Sequence, residues 1–589
     1  MNEKSRDTYP VSQLNVERSP RRSPSRTKAG WALEVGSFLL FLLLALPLFT
    51  CGAEPDLPLK PGLDVITPDA MLAHIKILAS DEFEGRAPGS KGEELSVNYI
   101  TDQFKRIGLK PGNPNGTYVQ EVPLAGIKSE PKMSFAVDGH VTDLKYPVDY
   151  VASSARLQEQ IKLDNSDMVF VGYGVVAPEY KWDDYKDVDV RGKTIVMLIN
   201  DPAIPDPKDP SRLDDNMFKG RAMTYYGRWT YKYEIAAQKG AAAAIIIHET
   251  GPAAYPYSVV RTSWSKENFE LDAADKNAGA VQVRAWMTLD VAQKLLADSG
   301  LDFAALKKAA LSREFKPVSL KAKANVEIRQ TLRLFKSHNV IGKLEGSDPQ
   351  LKDEFVIYTA HWDHLGRHPE MKGDQIFNGA VDNASGVAAI LQLAAAYSKL
   401  NPLPKRSSLF MSTTAEEAGL LGARYYAEHP LYPLWKTLAD INIDSMNVWG
   451  KTRDVEDTSF GFSSLDDMLA DATKRQDRTA IPNSRPEKGS IYRADNFEFS
   501  KVGLPSLYIG KGEHLVARAT DAPLRSDEFD LQDYHQVGDE VKSDWDLSGA
   551  VEDVQLLFEV GYRVANGDKW PEWKPGNEFR PKRDAMLRR

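Results

Sequence analysis

The chain has 589 residues, enough for two to four domains, and its 42% apolar and 27% charged residues are the proportions of a folded globular protein. A net charge of −9 and a pI near 5.7 argue against a nucleic-acid partner. The single cysteine, Cys51, excludes an internal disulfide and any cysteine-built zinc site, so a metal would have to be held by histidines and carboxylates.

In chain order, residues 1–30 are basic and rich in Ser and Pro, and an apolar run from Phe38 to Phe49 then ends at Thr50-Cys51-Gly52-Ala53. A basic flank, a short apolar core and small residues read as an export signal, and the run is short for a membrane span. Residues 1–55 are therefore set apart from the fold. Three outcomes stay open there: lipoprotein-type cleavage with Cys51 acylated, cleavage after Ala53 with plain secretion, or a retained signal anchor. The expectation is a protein exported to the periplasm, cell envelope or medium, with membrane attachment through this segment or through a lipidated Cys51.

A first folded part, 62–129, opens with a helix. Thr67 is a good N-cap, Pro68 suits the first helical position, and Met71, Leu72, Ile75 and Leu78 make one face. A second helix from Glu93 to Ile107 stops at Gly108. From 130 to 325 short strand-like runs alternate with Pro- and Gly-rich turns around one helix from about Tyr231 to Lys239. That texture reads as a separate β-rich domain inserted into the chain. From 335 to 589 strands and helices alternate, which predicts an α/β domain with a mostly parallel sheet flanked by helices. In such sheets ligands bind beyond the carboxyl ends of the strands.

The strand ends carry the chemistry. "EFVIYTAHWDHLG" ends at His361, with Asp363 two residues on. "FNGAVDNASG" places Asp382 in a turn before a helix. "SLFMSTTAEEAG" ends at Glu416 and Glu417, just before an expected helix. "LADINIDSMN" leaves Asp444 at a strand end, and "LQDYHQVGDE" supplies His535 from a polar loop. Each has a plainer reading: a hydrogen-bonded His, a helix-capping Asp, a surface loop. His364 and His368 compete with His361. Five such residues at one sheet edge form the mixed N/O set that suits zinc, and five ligands suit two zinc ions sharing a bridging carboxylate. Asp363 is placed to accept the other ring N–H of His361.

With these motifs, together with "ILASDEFEGRAPGSKGEE", "FKRIGLKPG" and "RADNFEFSKVGLPSL", the chain resembles the dinuclear-zinc aminopeptidase family, metallopeptidase family 28 of clan MH. Residues 130–325 resemble the protease-associated (PA) domain that some members insert. The resemblance implies one zinc on His361 and Asp444, the other on Glu417 and His535, and Asp382 bridging them. It implies Glu416 as general base, Asp363 behind the first histidine, and Tyr534 helping to hold the developing oxyanion. Arg493 and Asp495 fall where members contact substrate, although an ion pair between the two explains them equally well. "YYGRWTYKYE", residues 225–234, reads first as core packing and second as a cleft wall. The activity implied is an exported zinc metallopeptidase that removes N-terminal residues from peptides through a zinc-activated water. The absence of a dense arginine cluster near the motifs favours this over a carboxypeptidase or dipeptidase of the glutamate carboxypeptidase type. A non-catalytic, receptor-like binding protein is the alternative from another class.

Overall fold

Thr67 and Ser90 start two helices near the beginning of the described chain as their side chains dictate. The computed structural model describes residues 58–517 and 525–588; the expected export signal and Cys51 lie outside the described residues. The Thr67 hydroxyl accepts the Ala70 N–H at the head of α1 (Pro68–Leu78), and Ser90 accepts that of Glu93 at the head of α2 (Lys91–Ile107). Helix α2 ends at Gly108, whose φ of +91° is the left-handed stop that glycine takes without a Cβ penalty.

Two long strands then organise the molecule. Strand β1 (Val119–Val137) leads outward, followed by β2 (Tyr150–Ser153), β3 (Gln160–Phe170), β4 (Thr194–Leu198), α3 (Trp229–Gln238), β5 (Ala243–His248) and β6 (Val283–Thr288). The 27-residue β7 (Val318–Leu344) returns, antiparallel to β1 from Ala322–Val137 to Val340–Val119. Leu320, Ala322, Ala324, Val326 and Ile328 are buried at alternate positions of β7, the period-2 pattern of a strand with one covered face. The chain enters and leaves residues 130–325 along this ribbon. Beyond it β3, β4, β5 and β6 run parallel, with β2 antiparallel on β6, over a core that includes Ile195, Ile246 and Trp286.

The remainder is built from β8 (Phe355–His361), α4 (Ser385–Ser398), β9 (Ser407–Thr413), α5 (Leu421–Glu428), β10 (Thr437–Asn442), α6 (Asn496–Lys501), β11 (Ser506–Gly510) and α7 (Ser548–Asn566). The strand order is β7–β9–β8–β10–β11, parallel except where β7 meets β9. Alternate residues choose the faces. Ile357 and Met411 join Tyr426 of α5 and Phe499 of α6 on one side, while Tyr358 stacks on Phe410 and hydrogen-bonds Tyr397 of α4 on the other. This is the expected α/β arrangement. Because β8, β9 and β10 are parallel, His361, Thr413 and Asn442 close their strands at the same edge of the sheet. No helix among the described residues is long and apolar enough to cross a membrane.

Candidate metal centre

At that edge the five predicted donors converge. His361, the last residue of β8, donates its Nδ1–H to the Asp363 main-chain carbonyl at 3.1 Å. Its Nε2 then faces carboxylate oxygens: Asp382 Oδ1 at 3.2 Å, Asp444 Oδ1 at 3.4 Å and Glu416 Oε2 at 3.9 Å. The other Asp382 oxygen lies 3.1 Å from His535 Nε2, which is also 3.1 Å from Glu417 Oε2. Asp382 thus stands between the two histidines. Its turn is tight: Gly379 has φ +56°, and a Cβ there would lie 2.3 Å from the Asp382 carbonyl oxygen. Asp539 holds the turn by accepting the N–H groups of Val381 at 2.8 Å and Asp382 at 3.0 Å.

The arrangement of Glu416 and Glu417 differs from the expectation. Helix α5 begins only at Leu421, so the two glutamates sit in an irregular turn flanked by Ala415 at φ +53° and Leu420 at φ +62°. The role of Asp363 differs too. Its carboxylate is 3.8 Å from the His361 ring and instead accepts the Glu416 N–H at 3.0 Å and the Glu417 N–H at 3.4 Å. The main-chain carbonyl of Asp363 orients the imidazole, and its side chain fixes the glutamate turn.

His364, which the sequence left as a competitor of His361, lies on the Glu417 side. Its Nδ1 is 2.7 Å from Glu417 Oε1, yet the angles make no hydrogen bond, and both ring nitrogens and that oxygen are buried without hydrogen-bond partners. Two donor groups result, His361–Asp382–Asp444 and His364–Asp382–Glu417, each with its ligand atoms within 4.8 Å of one another. His368 stays apart, with Nδ1 3.0 Å from the exposed Glu370.

The electrostatics fit a cation. Burial disfavours charge on His361, but Glu416, Asp382 and Asp444 outweigh it and raise its pKa well above the ordinary range. His535 is raised to about 10 because Glu417 and Asp382 outweigh the same burial. Burial, with Asp444 and Glu417 adding to it and His361 opposing, raises Glu416 well above the usual carboxylate range. Without a bound cation, protons and the Arg86 guanidinium are left to offset this crowding, and orphaned Glu417 and His364 atoms remain. The residues present therefore suit a divalent metal with N and O ligands.

Sequence reading passed over Arg86. It is 1% exposed and donates to the main-chain carbonyls of Trp362 and Leu78, each at 2.8 Å, and of Gly379 at 2.9 Å. Burial lowers its pKa to about 10, while Asp539, Asp363, Asp382 and Glu417 counter that loss of charge. It is the cation behind the acidic cluster, and only its place in the "EGRAPG" motif hinted at it.

A cleft of about 840 Å³ opens over the centre, lined by Asp382, Glu416, Glu417, Asp444, Tyr534 and His535. Tyr534 stacks on the His535 ring, centroids 4.0 Å apart. The stretch "YYGRWTYKYE" serves both predicted purposes. Tyr225, Tyr226 and Tyr231 pack edge to face or tilted against one another, while Arg228, Trp229 and Thr230 line the cleft. Asp495 is buried and accepts the Thr413 hydroxyl, whereas Arg493 is exposed, lines the cleft and donates to the Lys488 carbonyl. Those two make no ion pair with each other.

Fold and site together define an α/β protein with a histidine–carboxylate cluster, able to hold a metal, at the carboxyl edge of its sheet. Residues 339–558, which supply every candidate metal ligand named here, match the model of Peptidase family M28. The mouse "Aminopeptidase NAALADL1" is 33% identical over 129 residues, 21% of this chain and 15% of that protein. A "Vacuolar membrane protease" of Schizophyllum commune is 30% identical over 119 residues, 20% of this chain and 11% of that protein. The chain thus spans only a small fraction of these curated relatives. Among solved structures, an aminopeptidase from Aneurinibacillus sp. strain AM-1 is 18% identical with a TM-score of 0.47, covering 87% of this chain and 97% of its own. A zinc aminopeptidase from Bacillus subtilis is 16% identical with a TM-score of 0.38, covering 85% and 95%.

Proposed function

We propose that this protein is an exported zinc-dependent exopeptidase, an aminopeptidase that removes N-terminal residues from peptides outside the cytoplasm. The observation that carries the reading is the convergence of His361, Asp382, Glu417, Asp444 and His535 around Glu416 at the floor of a cleft, within the segment that matches a peptidase family. Two zinc ions are assigned, one to His361, Asp382 and Asp444, the other to Asp382, Glu417 and His535 with His364 at its edge. Zinc there would polarise a scissile carbonyl and make a water acidic enough to attack near neutral pH.

The protein's own groups divide the remaining work. Glu416 belongs to neither donor group, and its high proton affinity suits it to take the proton of the attacking water and pass it to the leaving amine. Glu417 is turned to the histidines instead. Two adjacent carboxylates thus serve two tasks. Asp363 keeps them apart by gripping both N–H groups. Tyr534, at the cleft wall over His535, is assigned to the developing oxyanion. Residues 130–325, assigned as a protease-associated-like domain, supply the opposite wall through Arg228 and Trp229.

Hydrolysis of paired free and N-acetylated peptides, with and without a chelator, tests the reading. Cleavage of free N-termini alone, abolished by chelation, is expected. Cleavage of blocked peptides from a free C-terminus would replace it with a carboxypeptidase, and no metal-dependent cleavage of any peptide would leave a binding protein.

A further inference from the structure

Of the histidines near the centre, His364 is the one the proposed chemistry leaves without a task. It is 1% exposed, lies three residues past the end of β8 and is fixed from several sides. Its main-chain N–H donates to the Arg86 carbonyl at 3.4 Å. The turn that carries Asp382 lies against its ring, since a Cβ on Gly379 would stand 2.6 Å from the His364 Cγ and Cδ2. The His535 ring meets it edge to face, with centroids 5.7 Å apart.

A neutral imidazole has one nitrogen that donates and one that accepts, and leaving both unpaired in the interior is unfavourable. Both His364 nitrogens are in that state, and so is Glu417 Oε1, 2.7 Å from Nδ1. Two such atoms would ordinarily share a proton, yet they form no hydrogen bond. Ligands of one metal ion stand in this way, close together without being bonded to one another. His364, Asp382 and Glu417 each place one ligand atom within 4.8 Å of the others. A cation among them would complete Nδ1 and Glu417 Oε1 together, two of the three orphaned atoms. The other Glu417 oxygen, Oε2, lies 3.1 Å from His535 Nε2, so the two oxygens of this carboxylate face different histidines. His535 comes from a loop and keeps 34% of its side chain exposed, while His364 is held at the buried edge of the sheet.

We infer that His364 is a ligand of the second zinc ion beside Asp382, Glu417 and His535, so that this ion has a buried histidine in addition to the one in the loop. The inference deepens the two-zinc reading above and rests on it. Imidazole and carboxylate remain the ligand types, and zinc takes both. His361 and His364 are then not rivals for one ion. Each serves its own, and Asp382 is common to the two groups.

Zinc-edge X-ray absorption on the zinc-loaded full chain counts the imidazoles directly and needs no variant. Three shared by two ions are expected. Two ions with only two imidazoles would overturn this ligand alone, whereas a wild-type chain that takes up no second zinc would overturn the two-zinc reading and this ligand with it. Chelator competition on His364→Ala and His364→Asn separates ligation from a hydrogen bond to Glu417. Loss of an outer hydrogen-bond partner by itself costs about 10–100-fold in metal affinity, so the asparagine variant decides, because its amide keeps an N–H donor near the place of Nδ1. Both variants should hold the second ion at least about tenfold less tightly, and to the same extent. Wild-type affinity in the alanine variant, or affinity recovered in the asparagine variant, would overturn the assignment.

Discussion

Glu416 is the residue on which the proposed chemistry turns, and Glu416→Gln keeps the size and hydrogen-bonding capacity of the side chain while removing its proton-accepting oxygen. Metal content and melting behaviour should stay as in the wild type while kcat falls roughly 10²–10⁴-fold. Full activity in that variant would remove Glu416 from its role. Asp363 makes a separate prediction, because its carboxylate holds the glutamate turn rather than the His361 ring. Asp363→Ala should leave two buried N–H groups without acceptors and lower metal affinity or activity roughly 10–100-fold, read by competition with a chelator and by steady-state kinetics. At this scale the sequence was informative about donor types and poor about second contacts. His361, Glu417 and Asp444 meet because parallel strands end at one edge, a consequence of pattern, while a turn and a loop bring Asp382 and His535 to them. Arg86 was not legible, since its partners Trp362 and Gly379 lie 276 and 293 positions away.

Among the elements, the sheet with its covering helices is where packing is least forgiving. Helix α7 lies so close to β8 that a Cβ on Gly561 would stand 1.6 Å from the Tyr358 hydroxyl and 2.8 Å from that of Tyr397. Those hydroxyls are 2.6 Å apart and buried, so neither can retreat into solvent. Gly561→Ala should therefore destabilise the protein by about 1–3 kcal/mol in denaturant unfolding, despite the better helix propensity of alanine. A stabilised variant would show that α7 can shift. Helix positions followed from caps and periodicity, as Thr67 and Gly108 illustrate. The start of α5 did not. A run of good helix formers from Ala415 onward hides the residues at positive φ, Ala415 and Leu420, that delay the helix to Leu421, and nothing in their side chains announces that conformation.

For the molecule as a whole, the ribbon of β1 and β7 carries the chain between the sheet that ends in the metal centre and the lobe that supplies Arg228 and Trp229 to the cleft. The length of that ribbon was not legible, because Pro123, Gly126 and Pro131 within β1 read in the sequence as breaks in a strand. A cation holding His361, Asp382, Glu417, Asp444 and His535 together binds the folded state alone, so chelation should lower the melting temperature and restoring zinc should raise it. Occupancy at a hundredfold excess over Kd is worth about 2.7 kcal/mol, and an unchanged melting curve would place no such cation in the native structure. The most direct measurement is the zinc content of the purified full chain and of Asp382→Ala, the residue shared by both donor groups. The account predicts two zinc ions per wild-type chain and a fall to one or none in the variant; a wild-type chain without zinc, or a variant that keeps both ions, would contradict it.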